Sequence, residues 1–144
     1  MEITVRKTRP ARLPRRRLTA LTANLLRTEG WPDEAEVDLW LCTDDEIQTL
    51  NRDYRKLDKP TDVLSFPQYE PGERPAPGMP VHLGDVVISV DTAQRQADER
   101  GQSLGAEITW LFLHSVLHLI GYDDDTEEGL ELMIAKATTL TKIS

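Results

Sequence analysis

The sequence predicts an α/β fold: a single mixed β-sheet of about four strands packed with about five helices, in one domain over residues 1–144. Three observations lead there. Short apolar segments of period two alternate along the chain with longer stretches whose apolar residues recur every three to four positions, the marks of half-buried strands and amphipathic helices. Ser, Thr, Asp and Gly stand where those helices should begin and end. A length of 144 residues with 39% hydrophobic content suits one domain able to bury about two thirds of its unfolded surface.

Ile3 and Val5 alternate with polar residues in a short first strand, and Pro10 to Pro14 break the run. A helix follows from about Arg15 to Glu29, with Leu18, Leu21, Leu25 and Leu26 on its apolar side. Gly30 to Asp33 form a turn. Val37, Leu39 and Leu41 then alternate with Asp38, Trp40 and Cys42 in a half-buried strand. Thr43 caps the next helix, Glu46 three residues later completes a capping box, and Ile47, Leu50 and Tyr54 form its stripe. Val63 to Phe66 reads as a strand, and the Pro- and Gly-rich stretch from Pro67 to Pro80 as a long loop, of the kind kept for a lid, a binding loop or a disordered tip. Leu83 to Val90 is another strand. Asp91 caps a helix to about Arg100, Gly101 interrupts it, Ser103 starts the next, and a last helix covers about Thr126 to Thr139. The order β-α-β-α-β-β-α-α-α contains no internal repeat.

Composition narrows the function classes. A single cysteine, Cys42, excludes an internal disulfide and suits a reducing compartment. No apolar run reaches about 18 residues and no hydrophobic segment follows the basic N-terminus, so neither a membrane span nor a secretory signal is indicated and a cytoplasmic location is expected. Net charge is −8, which argues against phosphate-backbone partners. Yet Arg6, Lys7, Arg9, Arg12, Arg15, Arg16 and Arg17 face only Glu2 within the first 17 residues, so a local basic surface is compatible with an acidic whole, as is a solvated helix end or a disordered arm.

The strongest chemical signal is the pair His114 and His118, four residues apart in the apolar stretch Trp110 to Ile120. At that spacing both imidazoles share one helix face and can converge on one ion. Unpartnered, each would cost about 1 to 3 kcal/mol in such apolar surroundings, and coordination removes that cost. Gly121 can end the helix in a turn that brings Asp123, Asp124 and Asp125 back toward the same face, placing a third ligand within reach.

HSVLHLIGYDD, NRDYRKLDKPTDVLSFP from Asn51 to Pro67 and LGDVVIS from Leu83 to Ser89 resemble, in matching order, three motifs of the YbeY endoribonuclease family of rRNA maturation factors. The family's third metal-binding histidine aligns with Asp124, so the resemblance implies a site of His114, His118 and Asp124, with Asp123 and Asp125 as alternative carboxylates. Zinc is the expected ion, nickel or another transition metal being compatible with the same ligands. A carboxylate in place of a histidine weakens the ion as a Lewis acid.

The resemblance further implies that Arg55 and His114 are catalytic, with Arg55 gripping a phosphate through paired hydrogen bonds. It also implies that Arg55, Thr61, Asp62 and Ser65 contact substrate and that the strand Leu83 to Ser89 lines the groove. Thr61 and Asp62 have an alternative use in capping a turn. Single-stranded RNA, ribosomal RNA and ribosomal subunits are the expected partners. Two other readings attach to the same residues. A zinc peptidase needs a glutamate directly after the first histidine, and Ser115 stands there. A protein that kept the fold and its ribosome contacts but lost metal chemistry is the other, suggested by Asp124.

Overall fold

The computed structural model describes residues 1–32 and 34–142. Its strands are β1 (Glu2–Lys7), β2 (Ala35–Cys42), β3 (Val63–Pro67) and β4 (Val81–Ser89); its helices are α1 (Arg15–Thr28), α2 (Asp44–Arg55), α3 (Val90–Arg100), α4 (Leu104–Leu119) and α5 (Glu127–Lys142). The strands form one sheet in the order β1-β2-β4-β3. β1 and β4 run parallel to β2, and β3 pairs antiparallel with β4, so the sheet is mixed. The shortest strand, β3, is therefore an edge, while β4 lies between two partners.

Local chemistry sets most boundaries. Thr43 accepts from the Glu46 N–H at 3.2 Å while the Glu46 carboxylate accepts from the Thr43 N–H at 3.0 Å, the reciprocal pair that starts α2. Ser103 opens α4 by accepting from the Ala106 N–H. For α3 the cap is Ser89 rather than Asp91: the last residue of β4 accepts from the Thr92 N–H, because the strand runs into the helix without a linker. Asp91, in the first turn, accepts from the Asp44 N–H instead. The turn read over Gly30 to Asp33 is described as far as Trp31 and Pro32, with the Trp31 N–H bonded to Leu26 O at 2.8 Å; Asp33 lies outside the described residues.

One face of the sheet carries the main core. Leu18, Leu21, Leu25 and Leu26 of α1 and Ile108, Leu111, Phe112 and Val116 of α4 pack there against Val37, Leu39, Leu41, Leu83, Val86 and Ile88. Each such side chain contributes about 1.5 to 3 kcal/mol by leaving water. The other face is covered only in part, by α2, over a smaller cluster of Cys42, Ile47, Leu64 and Val87. That cover buries Cys42, on the strand face read as polar, and pushes its thiol pKa up to about 12, chiefly through burial. Tyr54, read as the end of the α2 stripe, is 68% exposed, meeting the sheet only edge-on at Phe66 of β3.

Gly84 pairs with Pro67 on one side and Val37 on the other, next to a register shift in β2–β4. Its φ is +137°, and a Cβ there would lie 2.2 Å from the Phe66 carbonyl oxygen, so β3 can lie this close only against glycine. No helix is long and apolar enough to cross a membrane among the described residues.

Candidate metal centre and its cleft

α4 is apolar nearly all round, and His114 and His118 occupy its last turns, with ring centroids 5.2 Å apart and planes at 78°. Trp110, one turn earlier, stacks on His114 at 5.1 Å and donates its Nε1–H to Thr138 Oγ1 at 3.2 Å, which fixes the ring from behind. Burial, followed by the neighbouring His118, holds the His114 pKa below its ordinary value, so this imidazole keeps a free lone pair at neutral pH. Its Nδ1 is buried without a hydrogen-bond partner.

The chain then reverses at Gly121, φ +111°, where the Gly121 N–H bonds to His118 O and the Tyr122 N–H to Leu117 O. The reversal does two things. It sets the Tyr122 carbonyl 3.2 Å from His118 Nδ1, so that nitrogen donates and Nε2 is left with its lone pair. It also brings Asp124 Oδ2 to 3.7 Å from His118 Nε2. One ligand atom each from His114, His118 and Asp124 lies within 4.8 Å of the others, close enough to share an ion. A buried neutral imidazole, a second with its tautomer fixed and an adjacent carboxylate are a donor set that fits a divalent transition metal. Of the alternative carboxylates, Asp123 turns back to accept from the Asp125 N–H at 3.3 Å, and neither Asp123 nor Asp125 joins the group.

Tyr122 is held from outside the motif. Its hydroxyl donates to Glu29 Oε1, at the end of α1, and Lys136 of α5 reaches Glu29 Oε2 at 3.1 Å. Burial and the Glu29 carboxylate push the Tyr122 pKa up, and the hydrogen bond to Glu29 pushes that of Lys136 up. Sequence reasoning missed Glu29 and Lys136 altogether, and no local pattern could have paired Glu29 with a turn 93 positions away or with a lysine 107 positions away.

The three candidate ligands open onto a cleft of about 450 Å³ that Arg55, Thr61, Asp62, Ser65, Pro71 and Tyr122 also line. Arg55, the last residue of α2, is its one permanent cation among the described lining residues and has no ion-pair or hydrogen-bond partner there. Asp62 is occupied: Oδ1 accepts from the Val63 N–H at 2.7 Å and from Thr61 Oγ1 at 3.4 Å, and Oδ2 from Gln96 Nε2 at 3.3 Å. Ser65 Oγ lies 2.5 Å from Ser115 Oγ, tying β3 to α4. The strand expected along the groove, Leu83 to Ser89, is not among the lining residues. As the interior strand β4 it is screened from the cleft by β3, whose residues 63 to 65 and Pro67 form that wall.

A family model described as Endoribonuclease YbeY matches residues 3–143. The chain belongs to the YbeY family. A relative named Endoribonuclease YbeY from Pelotomaculum thermopropionicum is 49% identical over 120 residues, 83% of this chain and 78% of that protein. Another of the same name from Deinococcus radiodurans is 44% identical over 130 residues, 90% of this chain and 81% of that one. The solution structure of a Thermotoga maritima protein superposes with a TM-score of 0.62 at 24% identity, covering 97% of this chain and 87% of that one, a likeness of fold. Within the YbeY frame the three motif stretches have separate places. NRDYRKLDKPTDVLSFP and HSVLHLIGYDD meet across the cleft, as Arg55 and β3 on one side and α4 with its following turn on the other, whereas LGDVVIS lies in the sheet and holds β3 in position through Gly84.

Proposed function

We propose that this chain acts, as one domain, as a metal-dependent endoribonuclease on single-stranded RNA, working in the cytoplasm on ribosomal RNA and ribosomal subunits in maturation and quality control. The observation that carries the reading is the unpartnered Arg55 guanidinium lining the same 450 Å³ cleft as His114, His118 and Asp124. The ion is zinc, held by those three side chains, with nickel or another transition metal accommodated by the same donors. When bound, a divalent ion supplies Lewis-acid polarisation of a phosphate oxygen. Arg55 binds the non-bridging oxygens through paired N–H donors and neutralises the charge that builds on them in the transition state. Thr61 and Ser65 offer hydroxyls along the backbone of the bound strand, and Asp62, spent on its own turn, positions Thr61 and Val63 rather than meeting phosphate.

Peptide hydrolysis has no support: Ser115 is buried and bonded to Ser65, so no general base stands beside the first histidine. A binding protein without catalysis is favoured by one feature, the negative charge that Asp124 brings to the ligand set. Elemental analysis combined with RNA cleavage, with and without chelator, separates the two. The expected outcome is about one ion per chain and chelator-sensitive cleavage in the parent, and loss of both in His114→Ala. Equal zinc in parent and variant overturns the ligand assignment, and bound metal with intact RNA and subunits still co-sedimenting overturns the enzyme.

A further inference from the structure

The partly covered face of the sheet carries a second groove, of about 480 Å³. Trp40 of β2, Tyr54 of α2 and Phe66 of β3 are its aromatic residues, Arg6 lies over Trp40 at 4.4 Å, and Asp38 and Asp85 line it as well. Tyr54 and Phe66 meet edge to face at 5.2 Å, so the exposed tyrosine ring is propped against a partner rather than swinging in water.

Only the edge strand separates this groove from the cleft. Successive side chains of β3 point to opposite faces, so Ser65 and Pro67 line the cleft while Phe66 lines the groove. At the end of α2 the split repeats, with Tyr54 in the groove and Arg55 in the cleft. A strand whose phosphate rests at Arg55 has one short rim to cross, with no further strand beyond it.

Charge sorts the two parts of a nucleotide between these spaces. Phosphate is attracted to Arg55, whereas in the groove the guanidinium of Arg6 over Trp40 is outnumbered by Asp38 and Asp85. The Asp85 carboxyl is pushed up by burial and then by Asp38, a setting in which N–H donors are welcome; Asp38 has already taken His82 Nε2 at 3.0 Å. Nucleobases bring a π face for the tyrosine and N–H groups for the carboxylates.

We propose that this groove is a base-stacking subsite, in which a nucleobase of the strand bound at Arg55 lies on Tyr54 and turns its N–H edge toward Asp38 and Asp85. The subsite rests on the endoribonuclease reading and extends its substrate contacts past the cleft. Its contribution is to binding, not to the reacting phosphate.

Two fluorescein-labelled single-stranded oligoribonucleotides of equal length, one intact and one with central bases removed, test this by anisotropy against the full chain, with zinc and with chelator. Tyr54→Ala is expected to weaken binding of the intact oligonucleotide about tenfold or more, Tyr54→Phe to restore it, and the base-free oligonucleotide to bind parent and Tyr54→Ala alike. In cleavage assays the same variant raises KM and leaves kcat within about twofold. Equal binding of the intact strand by parent and Tyr54→Ala overturns the subsite, as does equal weakening of both strands, which marks a backbone contact. If a basic polypeptide is held through Tyr54 while RNA binding is untouched, the groove belongs to a protein partner and the subsite is likewise overturned. A parent that binds neither strand overturns the RNA reading itself and the subsite with it.

Discussion

Asp124 decides how much charge the candidate metal centre carries. A carboxylate beside two neutral imidazoles leaves a bound divalent ion with one positive charge fewer than three histidines would, and a weaker pull on the electrons of its other ligands. Asp124→His should therefore shift the ascending limb of the pH–rate profile for RNA cleavage to lower pH; an unmoved limb would mean that this carboxylate stands outside the coordination sphere. Gly84 presents the opposite case, a residue chosen for what it lacks. Gly84→Ala forces a Cβ to within 2.2 Å of a backbone oxygen at a φ of +137° and should cost about 3 kcal/mol in urea unfolding. The linear chain singles out Asp124 through its motif, whereas nothing in it marks Gly84. Apart from that alignment the three consecutive aspartates are alike until the Gly121 turn sets their directions, and the glycine's neighbour lies 18 positions away in Phe66.

Among the elements, those framed by neighbours in sequence were legible and those framed across the sheet were not. The Thr43–Glu46 capping box and the i, i+4 histidines are local patterns, and each appears where its spacing places it. Sheet order is a long-range property. Placing β4 in the interior and β3 at the edge moved the cleft wall from Leu83–Ser89 to Val63–Pro67, and no local period carries that information. The turn after α4 shows the same division: its glycine was readable, its anchors in α1 and α5 were not. Because the Tyr122 carbonyl orients His118 while its hydroxyl is held by Glu29, loosening the hydroxyl should reach the metal site. Tyr122→Phe and Glu29→Gln are expected to lower zinc affinity by about tenfold or more in a competition titration, with thermal stability of the metal-free chain little changed. Unchanged affinity in both variants would show that the backbone turn alone orients the imidazole.

For the molecule as a whole, the basic first segment proved to be built into the fold rather than a loose arm. Arg6 stacks on Trp40, Lys7 bonds to Ala11 O, Arg9 pairs with Asp91, Arg15 donates to Ile3 O and Arg17 to Thr141 O. The charge count is legible in the sequence and all seven basic residues are exposed, but what fastens the segment comes from β1, β2, α3 and α5. Asp44 is a comparable junction. It accepts from Ser89, Thr92 and Arg95, joining α2 to the start of α3. Burial alone would raise its pKa, but those hydrogen bonds outweigh burial and hold it below the ordinary aspartate range. A depressed folded value means stabilisation that is complete above about pH 4 and fades as pH falls through the folded value. Asp44→Asn should thus cost on the order of 1 kcal/mol at pH 7, and the cost should shrink progressively as pH is lowered below about 4; a loss that stays constant with pH would assign the effect to shape rather than charge.

The first half of the long stretch between β3 and β4 is pinned: Tyr69 meets Trp31 edge-on at 5.3 Å, Arg74 lies over the same indole at 5.0 Å, and Pro71 and Gly72 sit against Gly121. Anchors of this kind predict an entrance already formed before a strand arrives, so that turnover has no hinged gate to wait for and a polymer settles in sideways rather than threading from a terminus.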